Sequence, residues 1–321
     1  MKIKNKKILL TGGAGFIGST LVEKLVDQNE ILVYDNFSRD SIRYKNLKSK
    51  KLKIVKDDVL NFSSLKKQCE DFKPEIVIHL AAIAGIDTVI INPVRTLEVN
   101  INGTLNLLKA LQKYSSRLER ILDFSTSEVL GTYAYKSNEK SHTNFAPVGE
   151  ARWTYSISKV TGEHLMHSYY KMYDYPAVTI RPFNIYGPGQ VGEGAIQIFI
   201  KNVIREKNIE IHGEGDQIRS WCYIDDMIDG IEKCLINKKA IGEIFNIGNP
   251  KGTITISSLA EKIITLCKSK SKIIYVPKNY VDVELRIPSI EKAKEFLGFI
   301  PKVELNEGIL RTFQWYKNKH L

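Results

Sequence analysis

The segment from Thr11 to Ser19, with the sequence TGGAGFIGS, restricts most strongly what this chain can fold into. It follows a short apolar run and precedes an amphipathic stretch, so it predicts a tight turn from a buried strand into a helix. Gly12, Gly15 and Gly18 allow the turn, the approach of a pyrophosphate to the backbone, and close packing of helix on strand. The unpaired N–H groups at the start of that helix favour an anion. The loop therefore predicts a dinucleotide site.

Short β-branched runs alternate with amphipathic stretches over the first half of the chain. The runs that predict buried strands are KKILLTGG, EILVYDN, LKIVKDDV, PEIVIHLAA, RILDFSTSEV and PAVTIRPFN. The stretches STLVEKLVDQ, FSSLKKQCEDF and TLNLLKALQKY between them have helical periodicity. Alternation of strand and helix implies right-handed crossovers, so we predict an α/β fold with a doubly wound parallel sheet, the Rossmann architecture.

The alternation ends after Arg181, where a glycine-rich connection begins. We expect a dinucleotide-binding domain over residues 1–181, to which residues 220–250 return with one further strand. Residues 182–321 would then form a smaller C-terminal α/β lobe for the substrate. No repeat or low-complexity linker separates the two parts, so we expect them to interlock.

An acid follows the second predicted strand. Asp35 ends the run ILVYD, where a carboxylate accepts hydrogen bonds from an adenosine ribose and repels a 2′-phosphate. This favours NAD over NADP as the cofactor, although Arg39 and Arg43 lie nearby in the sequence.

A tyrosine and a lysine stand four residues apart in the motif YSISK. This spacing places Tyr155 and Lys159 on one face of a helix. A neighbouring ammonium and the positive nicotinamide both favour the phenolate of Tyr155. We therefore expect Tyr155 to accept a proton from a sugar hydroxyl as a hydride leaves, with Lys159 supplying the positive charge.

Composition excludes several other classes of protein. The 321 residues include 47 Lys and Arg against 36 Asp and Glu, a formal charge of +11, yet the lysine-rich residues 45–56 carry no nucleic-acid-binding motif. We interpret them as a solvated face and expect no nucleic-acid partner. The four cysteines have no metal-ligand spacing, so we predict no metal and reduced thiols in a cytoplasmic protein. No apolar run is long enough to span a membrane.

Seven motifs occur together in one order along the chain. They are TGGAGFIGS, Asp58 with Val59, HLAA (His79 to Ala82), Asn100, STSEV (Ser125 to Val129), YSISK and RPFNIYGPG (Arg181 to Gly189). In order and spacing the chain resembles the extended short-chain dehydrogenase/reductase family, the NAD-dependent nucleotide-sugar epimerases, dehydratases and decarboxylases. The resemblance extends over essentially the whole chain.

The resemblance implies roles for individual residues and a nucleotide-diphosphate sugar as substrate. With the residues named above, the implied cofactor-binding set is Gly12, Gly15, Phe16, Ile17, Gly18, Asp35, Asn36, Asp58, Val59, Leu80, Ala81, Ala82, Asn100, Tyr155 and Lys159. The implied catalytic set is Tyr155, Lys159, Thr126, Ser127 and Glu128. The implied substrate-binding set is Thr126, Asn184, Arg219 and Arg286, of which the last three would hold the diphosphate. Relatives pair helices such as residues 98–113 and 155–172, so we also expect a homodimer.

Glu128 separates the reactions that such a family performs. All begin with the oxidation of the substrate to a 4-keto sugar. The ketone acidifies the hydrogen on carbon 5, so a nearby carboxylate that removes this proton would permit 4,6-dehydration. If carbon 6 is a carboxylate, the ketone instead permits loss of carbon dioxide, whereas a 4-epimerase needs no such acid. RWTYSISK and RIPSIEKAKEFLG look more like UDP-glucuronate decarboxylases. We favour a decarboxylase of UDP-uronic acids, with 4,6-dehydratase, 4-epimerase and a catalytically silent dinucleotide-binding regulator as alternatives.

Overall fold

The main sheet has seven parallel strands within residues 3–145, 147–277 and 282–319, which the computed structural model describes. The strands of the chain are β1 (Lys7–Thr11), β2 (Glu30–Asp35), β3 (Leu52–Lys56), β4 (Ile76–His79), β5 (Arg120–Phe124), β6 (Tyr133–Ser137), β7 (Ala177–Pro182), β8 (Ile185–Tyr186), β9 (Ile209–His212), β10 (Ile218–Ser220), β11 (Cys222–Tyr223), β12 (Ile244–Ile247), β13 (Thr253–Thr255), β14 (Ile273–Val276) and β15 (Leu285–Pro288). The order in the main sheet is β3-β2-β1-β4-β5-β7-β12. The predicted doubly wound α/β fold is confirmed.

Helices cover both faces of this sheet. They are α1 (Phe16–Leu25), α2 (Phe62–Phe72), α3 (Ile86–Ile91), α4 (Pro93–Leu97), α5 (Gly103–Leu111), α6 (Ala151–Tyr173), α7 (Ala195–Ile204), α8 (Ile224–Ile236), α9 (Ile256–Cys267), α10 (Glu291–Leu297) and α11 (Leu305–Asn318). Adjacent side chains of a strand point to opposite faces. Ile8 and Leu10 accordingly pack in a core shared with α8, and Leu9 packs in a second core shared with α2 and α5. Burial on both faces explains why the strands read as continuous apolar runs.

A smaller four-stranded sheet has the order β13-β10-β15-β6. β6 lies within residues 1–181 and yet pairs with β15, while β12, from residues 220–250, pairs with β7 of the main sheet. The chain therefore crosses between the two sheets in both directions. The division into lobes at residue 181 stays a prediction.

The strand order reverses at β1, because β2 and β4 lie on either side of it. In open parallel sheets, ligands bind outside the carboxyl ends of the strands at such a position. The glycine loop follows β1 at this edge. Within the described ranges, no helix combines the length and the apolar character that crossing a membrane requires.

Candidate active site

The glycine loop lies against the segment that follows β4. Gly12 has a φ of +71°, and a Cβ atom at this position would come within 2.5 Å of the Ala81 backbone nitrogen. A Cβ atom at Gly18 would come within 2.7 Å of the Gly12 carbonyl oxygen. Neither position accepts a side chain without movement of the backbone, so the shape of the loop depends on these glycines.

A cleft of about 590 Å³, termed the first cleft, opens between the glycine loop and the carboxyl ends of β2, β4 and β5. Its lining includes every predicted cofactor-binding residue except Asp58 and Asn100. A glycine cradle at a helix N-terminus, joined to an elongated cleft that ends at Tyr155 and Lys159, fits a dinucleotide.

Asp35 supports the glycine loop in addition to lining the first cleft. Its Oδ2 accepts a hydrogen bond of 2.8 Å from the Ala14 N–H, and its Oδ1 accepts one of 2.7 Å from the Phe37 N–H. Burial raises the pKa of the Asp35 carboxyl, and these two hydrogen bonds oppose the change. Asp35 therefore joins the glycine loop to the segment that follows β2.

Asp58 and Asn100 lie behind the lining of the first cleft. Asp58 accepts a hydrogen bond of 2.8 Å from Arg95. Asn100 binds the segment after β4, because its Oδ1 accepts a hydrogen bond of 2.8 Å from the Ile83 N–H and its Nδ2 donates to the Ile83 carbonyl at 3.1 Å. Its Nδ2 also donates to Ser158 on α6 at 2.9 Å. Asn100 therefore holds the cleft wall against α6.

A second cleft, of about 430 Å³, adjoins the first, and Tyr155 lines both. The second cleft brings together residues from distant parts of the chain. They include Glu128, Arg152, Asn184, Arg219, Asp282 and Arg286. The predicted substrate-binding residues Asn184, Arg219 and Arg286 are thus neighbours of Tyr155 in one cavity.

Tyr155 and Lys159 both lie on α6, where Tyr155 is half-buried and Lys159 is buried. Burial raises the pKa of Tyr155 to about 12, while a hydrogen bond with Thr126 and the positive charge of Arg39 lower it. Burial lowers the pKa of Lys159, and the negative charge of Asp123 opposes that change. The charges of Asp123 and Glu163 both favour the ammonium form of Lys159.

Thr126, Ser127 and Glu128 follow β5 in a turn of 3-10 helix. The Thr126 hydroxyl accepts a hydrogen bond of 3.2 Å from the Glu128 N–H and so caps the turn. Ser127 is buried and lines neither cleft. Only Glu128 of this triplet lines the second cleft.

Two arginines hold the Glu128 carboxylate. Arg152 donates to both of its oxygens, at 2.9 and 2.8 Å, and Arg286 donates to Oε1 at 2.6 Å. Burial by itself would raise the pKa of Glu128, but the charges and hydrogen bonds of Arg286 and Arg152 lower it to about 2. Glu128 is therefore ionised at any physiological pH.

Arg219 and Arg286 differ in how many of their donors are used. Arg219 binds Asp282 at 3.0 Å and also donates to backbone carbonyls of residues 218, 283 and 284. Arg286 binds Glu128 through Nη1, whereas its Nε and Nη2 are buried and have no hydrogen-bond partner among the described residues. Arg286 therefore has two donors that no described residue satisfies.

Arg152 and Asp282 are site residues that the sequence interpretation did not assign. Arg152 precedes Tyr155 by three residues, about one helical turn, in the motif RWTYSISK. That spacing is the signal that places it on the same side of α6. Asp282 bonds to Arg152 at 2.8 Å and to Arg219, but no local pattern around it indicates this role.

Comparisons with known proteins identify one family of relatives. Residues 8–248 match the NAD dependent epimerase/dehydratase family. UDP-glucuronic acid decarboxylase 6 of Arabidopsis thaliana is 36% identical over 95% of this chain and 87% of its own length. UDP-glucuronate 4-epimerase of Thermodesulfobacterium geofontis is 33% identical over 96% of this chain and 95% of its own length.

A solved structure shows the same fold with a cofactor in place. The crystal structure of UDP-glucuronic acid 4-epimerase from Bacillus cereus, in complex with UDP-glucuronic acid and NAD, has a TM-score of 0.88 and 29% identity over 97% of this chain and 99% of that chain. The predictions of an enzyme and of NAD as its cofactor are confirmed. This chain belongs to the NAD-dependent epimerase/dehydratase family, whose relatives named here act on nucleotide sugars.

Proposed function

We propose that this chain removes carbon dioxide from a nucleotide-linked uronic acid of the UDP-glucuronate type, through a 4-keto intermediate. The observation that supports this most directly is Glu128, a carboxylate held between Arg152 and Arg286 in the cleft that Tyr155 also lines. The names of the Arabidopsis and Thermodesulfobacterium relatives both specify glucuronate as the sugar. A uronic acid brings to this cleft a carboxylate of its own.

Tyr155 and Thr126 act at carbon 4 of the sugar. NAD in the first cleft supplies a reversible acceptor for the hydride of carbon 4. Tyr155 takes the proton of the carbon-4 hydroxyl, and Thr126, already hydrogen bonded to Tyr155, orients the same oxygen. In the resulting β-keto acid the bond between carbons 5 and 6 breaks, and its electron pair passes towards the carbon-4 oxygen as carbon dioxide leaves. Carbon 5 then takes up a proton, the hydride returns to carbon 4, and Tyr155 gives its proton back to the carbon-4 oxygen. A nucleotide-linked pentose is left, and the cofactor ends in its oxidised form.

The pairing of Glu128 argues against 4,6-dehydration. That reaction requires a base to remove the hydrogen from carbon 5, and the strength of a general base falls with its pKa. A carboxylate with a pKa of about 2, bound by two arginines, is a weak base at neutral pH. Decarboxylation needs no proton to be taken from carbon 5, so the paired Glu128 is compatible with it.

Arg286 is the proposed partner of the substrate carboxylate. Arg286 lines the second cleft beside Glu128, and its buried Nε and Nη2 have no hydrogen-bond partner among the described residues. A buried donor without a partner is costly, and a carboxylate anion satisfies two such donors at once. The negative charge of Glu128 close by disfavours the substrate carboxylate and so favours its departure as neutral carbon dioxide.

Arg219 and Asn184 are the proposed diphosphate contacts. Both line the second cleft, and Asn184 donates a hydrogen bond of 2.9 Å to the Ser220 carbonyl. Asp282 is the anion bound to Arg219 in this structure. We expect the substrate diphosphate to compete with Asp282 for the Arg219 guanidinium.

A panel of sugar nucleotides tests the proposed reaction. The protein is incubated with UDP-glucuronate, UDP-N-acetylglucosaminuronate and UDP-glucose, and the products are weighed by mass spectrometry. We expect a uronate to lose the mass of carbon dioxide and UDP-glucose to stay unchanged. Loss of water from UDP-glucose would replace the proposal with 4,6-dehydration, and an inverted carbon 4 at unchanged mass would replace it with epimerisation. Absence of any reduced-nicotinamide absorbance would favour a silent binding protein.

We also propose that two copies of the chain associate. Apolar side chains lie exposed on α3, α4 and α6. Ile91 is 74% exposed and Val94 is 69% exposed, and Ile90 and Ile157 are exposed as well. The three helices contact one another, and we propose that these exposed residues form one apolar surface. Contiguous apolar surface of this kind marks a protein–protein interface.

A further inference from the structure

A row of polar residues crosses the face of the main sheet that α2, α5 and α6 cover. His79, at the end of β4, is the register partner of Asp123 on β5, and Asp123 lies opposite Thr179 on β7. Two residues earlier on the same face, Val77 and Ile121 belong to the apolar core. An acid at position 123 therefore interrupts a strand that is otherwise apolar on this face.

The Asp123 carboxylate is buried and lacks an ordinary partner. The residue is 1% exposed, and neither of its oxygens accepts a hydrogen bond of normal geometry from the described residues. Burial raises its pKa to about 6, Lys159 lowers it, Glu163 raises it, and the Phe124 amide has the smallest influence. An acid in this position destabilises the fold unless a nearby positive charge balances it.

The charged and titratable groups that face Asp123 come from β4, β7 and α6. His79 is hydrogen bonded to two threonine hydroxyls, and burial lowers its pKa to about 3, so it is neutral. Arg181 is bound to Glu163 by two hydrogen bonds of 2.8 and 2.7 Å. Lys159 is 6% exposed on α6, a helix that packs against β7 beside β5. Of the two cations named here, Arg181 is bound to Glu163, so Lys159 is the one that can balance the charge of Asp123.

We propose that Asp123 is a positioning residue that keeps Lys159 in its ammonium form, one helical turn from Tyr155. Burial favours a neutral amine at Lys159, and Asp123 heads the influences that oppose this. The ammonium in turn favours the phenolate that accepts the substrate proton. The catalytic part of this inference rests on the proposed function, whereas the electrostatic coupling between Asp123 and Lys159 does not depend on the substrate.

Melting temperatures test the pairing without any substrate. Four proteins are compared at mildly alkaline pH: the unchanged chain, Asp123→Asn, Lys159→Met and the double variant. If the two charges balance, the change in melting temperature caused by Asp123→Asn should differ by about 2 °C or more between the unchanged chain and Lys159→Met. Asp226→Asn is the matched control, because Asp226 is a buried carboxylate that accepts hydrogen bonds from the Lys302 and Val303 amides. Its effect should simply add to that of Lys159→Met, and additivity for Asp123→Asn would overturn the proposal.

The pH profile of NAD reduction tests the catalytic part. On addition of UDP-glucuronate, the rate of NAD reduction should fall as the pH is raised. In Asp123→Asn this fall should occur about 1 pH unit or more closer to neutrality than in the unchanged chain, because Lys159 has lost a neighbouring negative charge. Arginine keeps its charge over this pH range. Adding Asp123→Asn to Lys159→Arg should therefore leave the pH profile of NAD reduction unchanged. Asp123→Leu replaces Asp123→Asn if the amide prevents folding.

The outcomes separate this inference from the proposed reaction. Identical pH profiles for the unchanged chain and Asp123→Asn would overturn the inference. Coupled melting temperatures together with no NAD reduction by any sugar nucleotide would reject the proposed reaction and support the pairing of Asp123 with Lys159.

Discussion

At the scale of single residues, the chemistry of the second cleft depends on which charges are already paired. Glu128 has a cation on each side, whereas Arg286 has two buried donors without a partner in the described part of the chain. The Glu128 carboxylate is thus already bound by two arginines, whereas two donors of Arg286 can bind an anion that arrives with the substrate. This asymmetry supports the proposed uronic acid substrate, because an arginine binds a carboxylate through two parallel donors.

Replacement of Glu128 by glutamine tests its place in the chemistry. A neutral amide removes the negative charge that we propose favours departure of the substrate carboxylate, while Arg152 keeps Asp282 as a bound anion. We expect product formation to fall by at least about 100-fold while reduced nicotinamide still accumulates. Absorbance of the reduced cofactor and release of carbon dioxide measure the two steps.

The control for this variant is Glu295→Gln, because Glu295 is exposed on α10. It should leave both steps unchanged. Full product formation by Glu128→Gln would remove Glu128 from the chemistry and leave its pairing with Arg152 as a structural contact.

The sequence indicates Glu128 but not its partners. Its place two residues after Thr126 makes it a candidate acid, since both belong to the local motif STSEV. Its contact with Arg286 joins positions 158 residues apart. Such a contact arises only when the smaller sheet folds against the main sheet, so no local spacing predicts it.

At the scale of elements, the strands of the main sheet are predictable because burial on both faces gives each a continuous apolar run. β6 carries no such run: Tyr133 and Tyr135 are exposed, and the strand exists through its pairing with β15. Asn100 shows the same limit within the site. Its motif position suggests a cofactor contact, yet the structure places it in the wall between Ile83 and α6.

The glycine loop makes a prediction at this scale. In Gly12→Ala the new Cβ atom would meet the Ala81 backbone at 2.5 Å, and the residue would keep a left-handed φ that alanine disfavours. We expect a loss of about 1 kcal/mol or more in stability and at least about tenfold weaker NAD binding, measured by denaturant unfolding and by calorimetric titration.

Gly162→Ala is the matched control for this substitution. Gly162 lies inside α6, and no atom outside its own helix backbone and neighbours would come within 4 Å of its Cβ. Alanine there should stabilise the chain by about 0.5–1 kcal/mol and leave NAD binding unchanged. Unchanged NAD binding in Gly12→Ala would show that the cofactor does not approach the loop closely.

At the scale of the whole molecule, the second cleft exists because the chain passes repeatedly between the two sheets. Glu128 follows a strand of the main sheet, and Arg219 and Arg286 lie on adjacent strands of the smaller sheet. These arginines account for few of the charges behind the formal +11. The lysine-rich residues 45–56 include the edge strand β3, where positive side chains discourage pairing with another sheet.

The exposed apolar surface of α3 and α4 supplies the prediction that belongs to this scale. A charge at its most exposed position, in Ile91→Glu, should be tolerated by the fold but not by an apolar interface between two copies. We expect the unchanged chain to sediment as a dimer and Ile91→Glu as a monomer. Ile300→Glu changes an isoleucine that is 57% exposed elsewhere and should remain dimeric. Sedimentation of the unchanged chain as a monomer would contradict the proposed interface, because nothing would then cover these isoleucines.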